Sequence, residues 1–160
     1  MWFEVKQRVI AILKTLGDDP ITGTHCIVAD SIPPTRSDHH GYVIIVKPNR
    51  DAVQTPLTSD SRTHVLGFAI ECYSPQALTG QAIANEYRIE AYADAITALL
   101  ERYPRLEDIT TRIGLTGVQS VFIAGSVFQT PRPYPDGQTG QQYYSVTVNL
   151  QVTFKRATGC

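Results

Sequence analysis

The chain has 160 residues, of which 42% are hydrophobic and 18% are charged, and its formal net charge is −1. This length is typical of one domain around one core, so we predict a single domain over residues 1–160. The small net charge excludes the global basic field by which many proteins attract nucleic acid.

The charged share is lower than the ~25% typical of globular proteins. Two explanations remain open: partner proteins cover part of the surface, or a β-rich surface uses Ser, Thr and Gln instead of charges. The longest purely apolar run, residues 42–46, is far shorter than the ~20 residues that cross a bilayer. Charged side chains from Glu4 to Lys14 interrupt the N-terminal segment, so we expect no signal peptide and no membrane partner.

Residues 2–16 are predicted to form an amphipathic helix, because apolar side chains recur there at spacings of three and four. These side chains are Trp2, Val5, Val9, Ile12, Leu13 and Leu16. Gly17 stands where a helix C-cap is expected, and Pro20 follows. Residues 24–29 are a short strand candidate. Residues 30–41 are predicted to be a loop, because their two adjacent prolines lack N–H donors.

The centre of the first half alternates between strand and loop signals. Residues 42–46 are all apolar, which predicts a strand in the middle of a sheet. Residues 47–62 contain prolines, an asparagine and several hydroxyl side chains, so we predict a second polar loop. Residues 64–73 are predicted to be the third strand. Its inward side chains are Leu66, Phe68, Ile70 and Cys72.

A second helix is predicted over about residues 81–103, and Pro104 ends it. Its buried face is predicted to hold Ile89, Tyr92, Ala93, Ile96, Leu99, Leu100 and Tyr103. A strand over residues 117–128 follows. Residues 129–141 contain three prolines and an Asp-Gly pair, which predicts a long hairpin loop.

Residues 142–156 alternate without interruption, which predicts a long strand with one dry and one wet face. The dry face holds Tyr144, Val146, Val148, Leu150, Val152 and Phe154. The wet face holds Tyr143, Ser145, Thr147, Asn149, Gln151, Thr153 and Lys155. Because it is uncharged until its last residues, the wet face can meet another protein at a small desolvation cost. We therefore name Thr147, Asn149 and Gln151 as interface candidates.

The resulting order is α-βββ-α-ββ. Runs of strands with few crossover helices favour an α+β fold. We predict a mostly antiparallel sheet of about five strands, with two helices packed on one face.

The motifs that usually carry catalysis or cofactor binding do not occur in this sequence. GxxxxGK[ST], GxGxxG, HExxH and GxSxG are all missing. We therefore expect no enzymatic activity and no cofactor.

The histidines of this sequence do not form a recognisable metal site. Asp38, His39 and His40 form the only histidine cluster, but adjacent residues do not easily point at one ion, and a solvated loop is favoured over a zinc site. His25 and His64 would approach each other only if their strands paired.

The three cysteines lack CxxC spacing and are expected to be reduced thiols. Cys26 and Cys72 lie in apolar runs and are predicted to be core residues. Cys160 is expected to be exposed.

Glu86, Glu90 and Asp94 share one face of the second helix, being four residues apart. The usual explanation is a solvated face. Paired carboxylates also serve acid/base chemistry, but no second group completes a mechanism here. A third interpretation is an acidic surface that repels passing DNA.

The loop over residues 129–141 carries Arg132, Tyr134, Pro135 and Asp136. Arg and Tyr are prominent in interface energetics, so we interpret this loop as a contact element, the alternative being a loop without a partner. Two residues of the first loop, Arg36 and His39, are further interface candidates.

The element order and several local features together resemble the tail terminator (tail-completion) proteins of long-tailed bacteriophages, over nearly the whole chain. The features are the helix over residues 2–16, Ile32-Pro33-Pro34 leading into residues 42–46, Leu99-Leu100 to Tyr103-Pro104, Tyr144-Ser145-Val146-Thr147-Val148, and Phe154-Lys155-Arg156. The segments over residues 30–41 and 47–62 are longer than in the smallest family members, so no surface residue is carried over there.

The resemblance implies a non-enzymatic ring, commonly a hexamer, at the head-proximal end of the tail tube. Such a ring ends tube polymerisation, meets the head connector and lets DNA pass through its lumen. The resemblance thus implies a virion protein assembled in the host cytoplasm, whose partners are its own copies, the tail tube protein and the connector. Alternatives are another head–tail neck protein, a small α+β ligand-binding domain and an unrelated homo-oligomer.

Overall fold

One sheet and two helices make up the fold of the residues that the computed structural model describes, which are 2–16, 27–29, 43–54, 61–73, 82–133 and 142–157. The elements in chain order are α1 (Trp2–Leu13), a 3-10 turn (Lys14–Leu16), β1 (Ile27–Ala29), β2 (Val43–Gln54), β3 (Ser61–Tyr73), α2 (Ala82–Glu101), β4 (Val118–Pro133) and β5 (Gln142–Ala157). The predicted α+β class is confirmed.

The strands lie in the order β1-β2-β3-β5-β4. Strands β2, β3, β5 and β4 are antiparallel to their neighbours, while the three-residue β1 adds to β2 in parallel. The last strand in the sequence is therefore an inner strand, and β4 is an edge. The pairs Leu66↔Val152 and Ile70↔Val148 set the register at the centre of the sheet.

Both helices pack into the same hydrophobic cluster as one face of the sheet. In the described parts of the helices, the fully buried side chains are Val5, Val9, Ile12 and Leu13 from α1 and Ile89, Tyr92, Ile96 and Leu100 from α2. Trp2 packs edge-on against Phe68 of β3, with ring centroids 5.1 Å apart. The apolar stripes predicted for both helices are thus core surfaces.

The alternation predicted for the closing strand is confirmed through most of β5. Val146, Val148, Leu150, Val152 and Phe154 are all buried on the helix side of the sheet. The opposite face is not wet throughout, however. Ser145 is 4% exposed, and its β3 partner Tyr73 is also buried. Ile45 of β2 is fully buried on this face as well. This end of the face is therefore buried, and the polar surface of β5 begins only after Ser145.

Two predicted loops are shorter than expected, because strands extend into them. The loop predicted over residues 47–62 is wrong in part: β2 continues to Gln54 and pairs with β3 as far as Gln54↔Thr63. A register shift between Pro48 and Arg50 accommodates the proline on which the loop prediction rested.

The loop predicted over residues 129–141 is shortened in the same way, since β4 runs on to Pro133, opposite Gln142. Proline is tolerated there because β4 is an edge strand and needs ladder donors on one side only. The entry to β4 is tight: Gly117 has φ +93°, and a Cβ at this position would lie 2.6 Å from Phe154 Cζ.

The helix boundaries also differ slightly from the prediction. The last turn of the first helix is a 3-10 turn, and α2 ends at Glu101 rather than near Tyr103. Tyr103 is nevertheless buried, as predicted.

We predict that Val148→Asp, which places a carboxylate at a fully buried position of β5, lowers the free energy of unfolding by more than about 3 kcal/mol. In a chain of this size the midpoint of thermal unfolding should then fall by about 6 °C or more, as measured by circular dichroism. Asn149→Asp adds the same group one residue along, on the polar face, and should change stability by less than about 1 kcal/mol. Equal losses in the two variants would contradict the assignment of the faces.

Candidate interaction surfaces

The polar face of β5 lies on the side of the sheet away from the helices. Thr147 and Asn149 are half-buried, and Gln151 is exposed. Beside them on β3, Glu71 lies opposite Thr147. The Tyr73 hydroxyl donates to Glu71 Oε2, and Lys47 Nζ lies 3.0 Å from the same oxygen. This charge is therefore neutralised within the sheet, and the predicted uncharged surface continues along β5.

Among the described strands, the β4–β5 hairpin reaches beyond the rest of the sheet. Strand β3 ends at Tyr73, which pairs with Ser145, and Ser145 pairs on its other side with Gln129. From there to Pro133↔Gln142 the hairpin is a two-stranded arm, roughly 14 Å long at a strand's rise of ~3.4 Å per residue.

The interface candidates of the predicted hairpin loop fall on this arm or beyond it. Arg132 belongs to the arm and pairs with Tyr143. Tyr134, Pro135 and Asp136 lie outside the described residues. So do Arg36 and His39, the candidates of the first loop.

The acidic row predicted on the second helix is present on α2. Glu86, Glu90 and Asp94 are all exposed, while Ile89 and Ala93 of the same helix are buried against the sheet. The carboxylates therefore face away from the core. This geometry agrees both with a simple solvated face and with an acidic surface that a partner or a lumen would meet.

Residues 102–117 form an ordered segment between α2 and β4. The sequence predicts only a turn there, over Gly114-Leu115-Thr116-Gly117. Leu106 and Arg112 have φ of 51° and 59°, a region that L-residues other than glycine seldom adopt. Such conformations cost on the order of 1–3 kcal/mol each and persist where surrounding contacts impose them.

Long-range contacts supply that constraint. Arg8 of α1 donates from Nη1 to the Leu106 carbonyl oxygen at 2.8 Å, and Leu106 itself is fully buried. The Arg112 guanidinium lies 4.4 Å from the centre of the Tyr103 ring and donates to the Arg102 carbonyl oxygen at 3.3 Å. The first contact fixes the segment to α1, and the second holds its far part against its own start, directly after α2.

Asp108 closes the turn inside this segment. The N–H groups of Thr111 and Thr110 both donate to Asp108 Oδ1 at 2.9 Å. These bonds favour the ionised carboxyl and hold the pKa of Asp108 below its ordinary value, with a smaller contribution from the positive charge of Arg8. The local signal for this turn in the sequence is the aspartate, because an Asp side chain can accept from backbone N–H groups two and three residues on. The segment presents Ile113, which is 69% exposed, to its surroundings.

A shallow cleft lies between the end of α2 and β4. It encloses about 180 Å³ and is lined by Leu100, Glu101, Pro104, Val121, Phe122 and Ile123. Clefts that bind small ligands typically measure ~300–1,000 Å³ and hold several convergent polar groups. This cleft has one charged residue and resembles a site for a single side chain more than a ligand pocket.

The described residues do not bring candidate metal ligands together. Among them, no three His, Cys, Asp or Glu side chains converge on one point. His64 lies half-buried in β3, and β2 separates β3 from β1, so strand pairing does not join His64 to the region of His25. His25, Asp38, His39 and His40 lie outside the described residues.

Cys72 is fully buried among core residues, as predicted, whereas Cys26 and Cys160 lie outside the described residues.

No model of a known protein family matches this chain, and a search of curated proteins finds no match either. No helix in the described part of the chain has the length and hydrophobicity needed to cross a bilayer.

We predict that Asp108→Asn destabilises the protein at pH 7 but not in strong acid. The folded-state pKa of Asp108 is lowered, so its charged form stabilises the fold above the unfolded pKa of about 3.9, and this contribution disappears as the pH falls through the folded value. The difference in thermal midpoint between wild type and variant should therefore be largest at neutral pH. It should begin to shrink below about pH 4 and disappear in strong acid.

Asp94→Asn is the control. It removes the same charge from an exposed position on α2, and so corrects the thermal midpoint for the effect of net charge. A difference between wild type and Asp108→Asn that persists unchanged at pH 2 would show that the charge of Asp108 does not stabilise the turn.

Proposed function

We propose that this chain is a structural subunit of a long-tailed bacteriophage, forming a ring at the head-proximal end of the tail tube. In this role it ends tube polymerisation and joins the tail to the head connector. The observation that carries the proposal is the β4–β5 hairpin, which combines a projecting arm with an uncharged polar strand face. The resemblance in element order to tail terminator proteins supplies the specific assignment.

The arm supports an assembly role on physical grounds. An isolated two-stranded hairpin is only marginally stable in water, so an arm that leaves its sheet is best stabilised by packing on a neighbour. The proposed contact residues are Arg132 on the arm and, in the residues that follow it in the sequence, Tyr134, Pro135 and Asp136. They contact a different surface of the next subunit, and such heterologous contacts close into a ring when the rotation between subunits permits.

The polar face of β5 is proposed as a second contact surface. Thr147, Asn149 and Gln151 offer hydrogen-bonding groups without a charge to desolvate, which suits a partner that is bound after folding. Arg36 and His39 remain candidate contacts of the same assembly. The partners proposed for these surfaces are neighbouring copies, the tail tube protein and the head connector.

The acidic row of α2 is proposed to face the lumen. Carboxylates at Glu86, Glu90 and Asp94 repel phosphate, so a lumen lined by them would let DNA pass without retaining it. This proposal needs no cofactor, and the chain acts without catalysis.

A neighbouring neck protein of the same virion is the second candidate, because the same arm and polar face suit a ring one position nearer the head. Cross-linking in intact virions separates the two, because a ring at the tail end touches the tail tube protein and a neck ring nearer the head does not. Antibody labelling tests the region that both share. An antibody against the chain should label each virion once, at the head-proximal end of the tail, in negative-stain electron microscopy. Label along the tail, or on no part of the particle, would overturn the assignment to the tail end.

We predict that deleting residues 130–140 leaves the fold intact and impairs assembly. Gln129 pairs with Ser145, so after the deletion four residues, 141–144, connect β4 to β5, a length that hairpins accept. Cooperative thermal unfolding should persist, while incorporation of the protein into virions, measured by immunoblot of purified particles, should be lost. Loss of cooperative unfolding would show instead that the arm belongs to the folding unit.

A further inference from the structure

The two edges of the sheet differ in how they are protected against pairing with another strand. Beyond the short β1, the outer edge of β2 carries the exposed Lys47 and Pro48 and a register shift next to Pro48. A charge, a proline, a bulge and a short edge strand are the usual devices that prevent edge-to-edge pairing. This edge of the sheet is protected.

The edge at β4 lacks most of these devices. From Val118 to Thr130 the strand contains no charged residue and no proline. Register shifts near Gln119 and Ala124 and the positive φ of Gly125 (+132°) are the devices that it does share with a protected edge. Within the described part of the chain, β4 pairs with β5 alone. Among the described residues, no strand pairs with the backbone groups on its outer side.

Apolar side chains stand on both faces of this edge. Phe122 lies opposite Gln151 and Val127 opposite Thr147, which places both on the polar face of the sheet, and they are 62% and 52% exposed. Phe128 lies opposite Val146 on the helix side and is 54% exposed. Exposed aromatic residues on both faces flank the site of an added strand and would contact its side chains.

We propose that the strip of β4 from Val118 to Phe128 pairs with the same strip of a second copy of this chain, antiparallel and about a two-fold axis. The chain offers one open edge and one protected edge, so edge pairing stops at two copies instead of continuing into a fibre. In a two-fold contact of this kind, the uncharged residues of one copy's strip pair with uncharged residues of the same strip in the second copy, so no like charges meet. The product is a dimer with a single sheet across both copies.

The size of the contact sets its strength. Eleven residues at ~3.4 Å extend ~37 Å, and with a sheet edge ~10 Å thick the strip covers roughly 400 Å² per copy. Stable interfaces bury ~800 Å² per partner, so the area is about half of what a permanent dimer needs. The backbone adds on the order of ten hydrogen bonds, as many as a full-sized interface contains. The dimer is therefore reversible and depends on concentration.

This dimer goes beyond the proposed ring, because a two-fold contact closes on itself and does not propagate around a cyclic ring. It describes the free subunit, in which pairing covers the open edge before assembly.

Sedimentation velocity from micromolar to near-millimolar concentration tests the proposal. The wild-type protein should show a monomer–dimer equilibrium. Phe122→Lys and Val127→Lys each place a positive charge on the edge. The two charges at position 122 lie close to the two-fold axis and repel each other, whereas the charge at position 127 must be desolvated against the partner strand. Each should raise the dimer dissociation constant by about tenfold or more. Phe3→Lys is the matched control: it makes the same change, from an exposed phenylalanine to lysine, on α1 and away from the β4 edge, and should leave the dissociation constant unchanged.

Far-UV circular dichroism and thermal unfolding establish that each variant is folded. If Phe122→Lys does not fold, the proposal is tested with Val127→Lys. A wild-type monomer over the whole range overturns the proposal. So does an oligomer that persists unchanged in the folded lysine variants, and if that oligomer is a ring, the proposed function still stands. Weakening by Phe3→Lys as strong as that by the edge variants would likewise place the contact elsewhere.

Discussion

The insertion of β5 between β3 and β4 is the constraint on which the rest of this structure depends. Its apolar face, Val146 to Phe154, packs against both helices, while its backbone pairs with two neighbours along nearly its full length. Fully burying one such side chain stabilises a fold by about 1.5–3 kcal/mol. Five of them contribute an amount comparable with the whole net stability of a typical domain, which is about 5–15 kcal/mol.

The same strand determines which surfaces are left for partners. Because the helices occupy one face of the sheet, the polar side chains of β5 form the opposite face, and β4 is displaced to the edge. The arm follows from a difference in length, since β4 and β5 continue where β3 has ended. The candidate surfaces are thus consequences of strand order and strand length, which explains why an uncharged polar face, an open edge and a projecting hairpin occur together.

Periodicity in the sequence was enough to predict the two helices and the faces of β5, because burial on one side imposes a regular repeat. It did not predict the length of β2 and β4. Pro48, Pro131 and Pro133 are typical of loops, yet a strand accepts them where its N–H groups are not needed for the ladder, and edge position is not visible in a local pattern.

The segment over residues 102–117 escaped prediction for a different reason. The backbone of Leu106 and Arg112 is held by contacts such as that from Arg8, 98 positions away, which a local reading of the sequence does not contain. The exposed β4 edge was missed as well, because strand order within the sheet is a property of the whole chain. The Glu86, Glu90 and Asp94 row, by contrast, follows from helical spacing alone and was predicted.

The late position of β5 in the sequence has a consequence for how the protein is made. During synthesis β3 emerges early and β4 follows, but the strand that lies between them comes after both. Until it arrives, each has a side open to other chains, and the apolar face of the helices has an incomplete partner. Contacts of such long sequence separation also slow folding. A chain interrupted before Gln142 would lack the strand that joins β3 to β4 and would leave one edge of β3 unpaired, which is a site for aggregation.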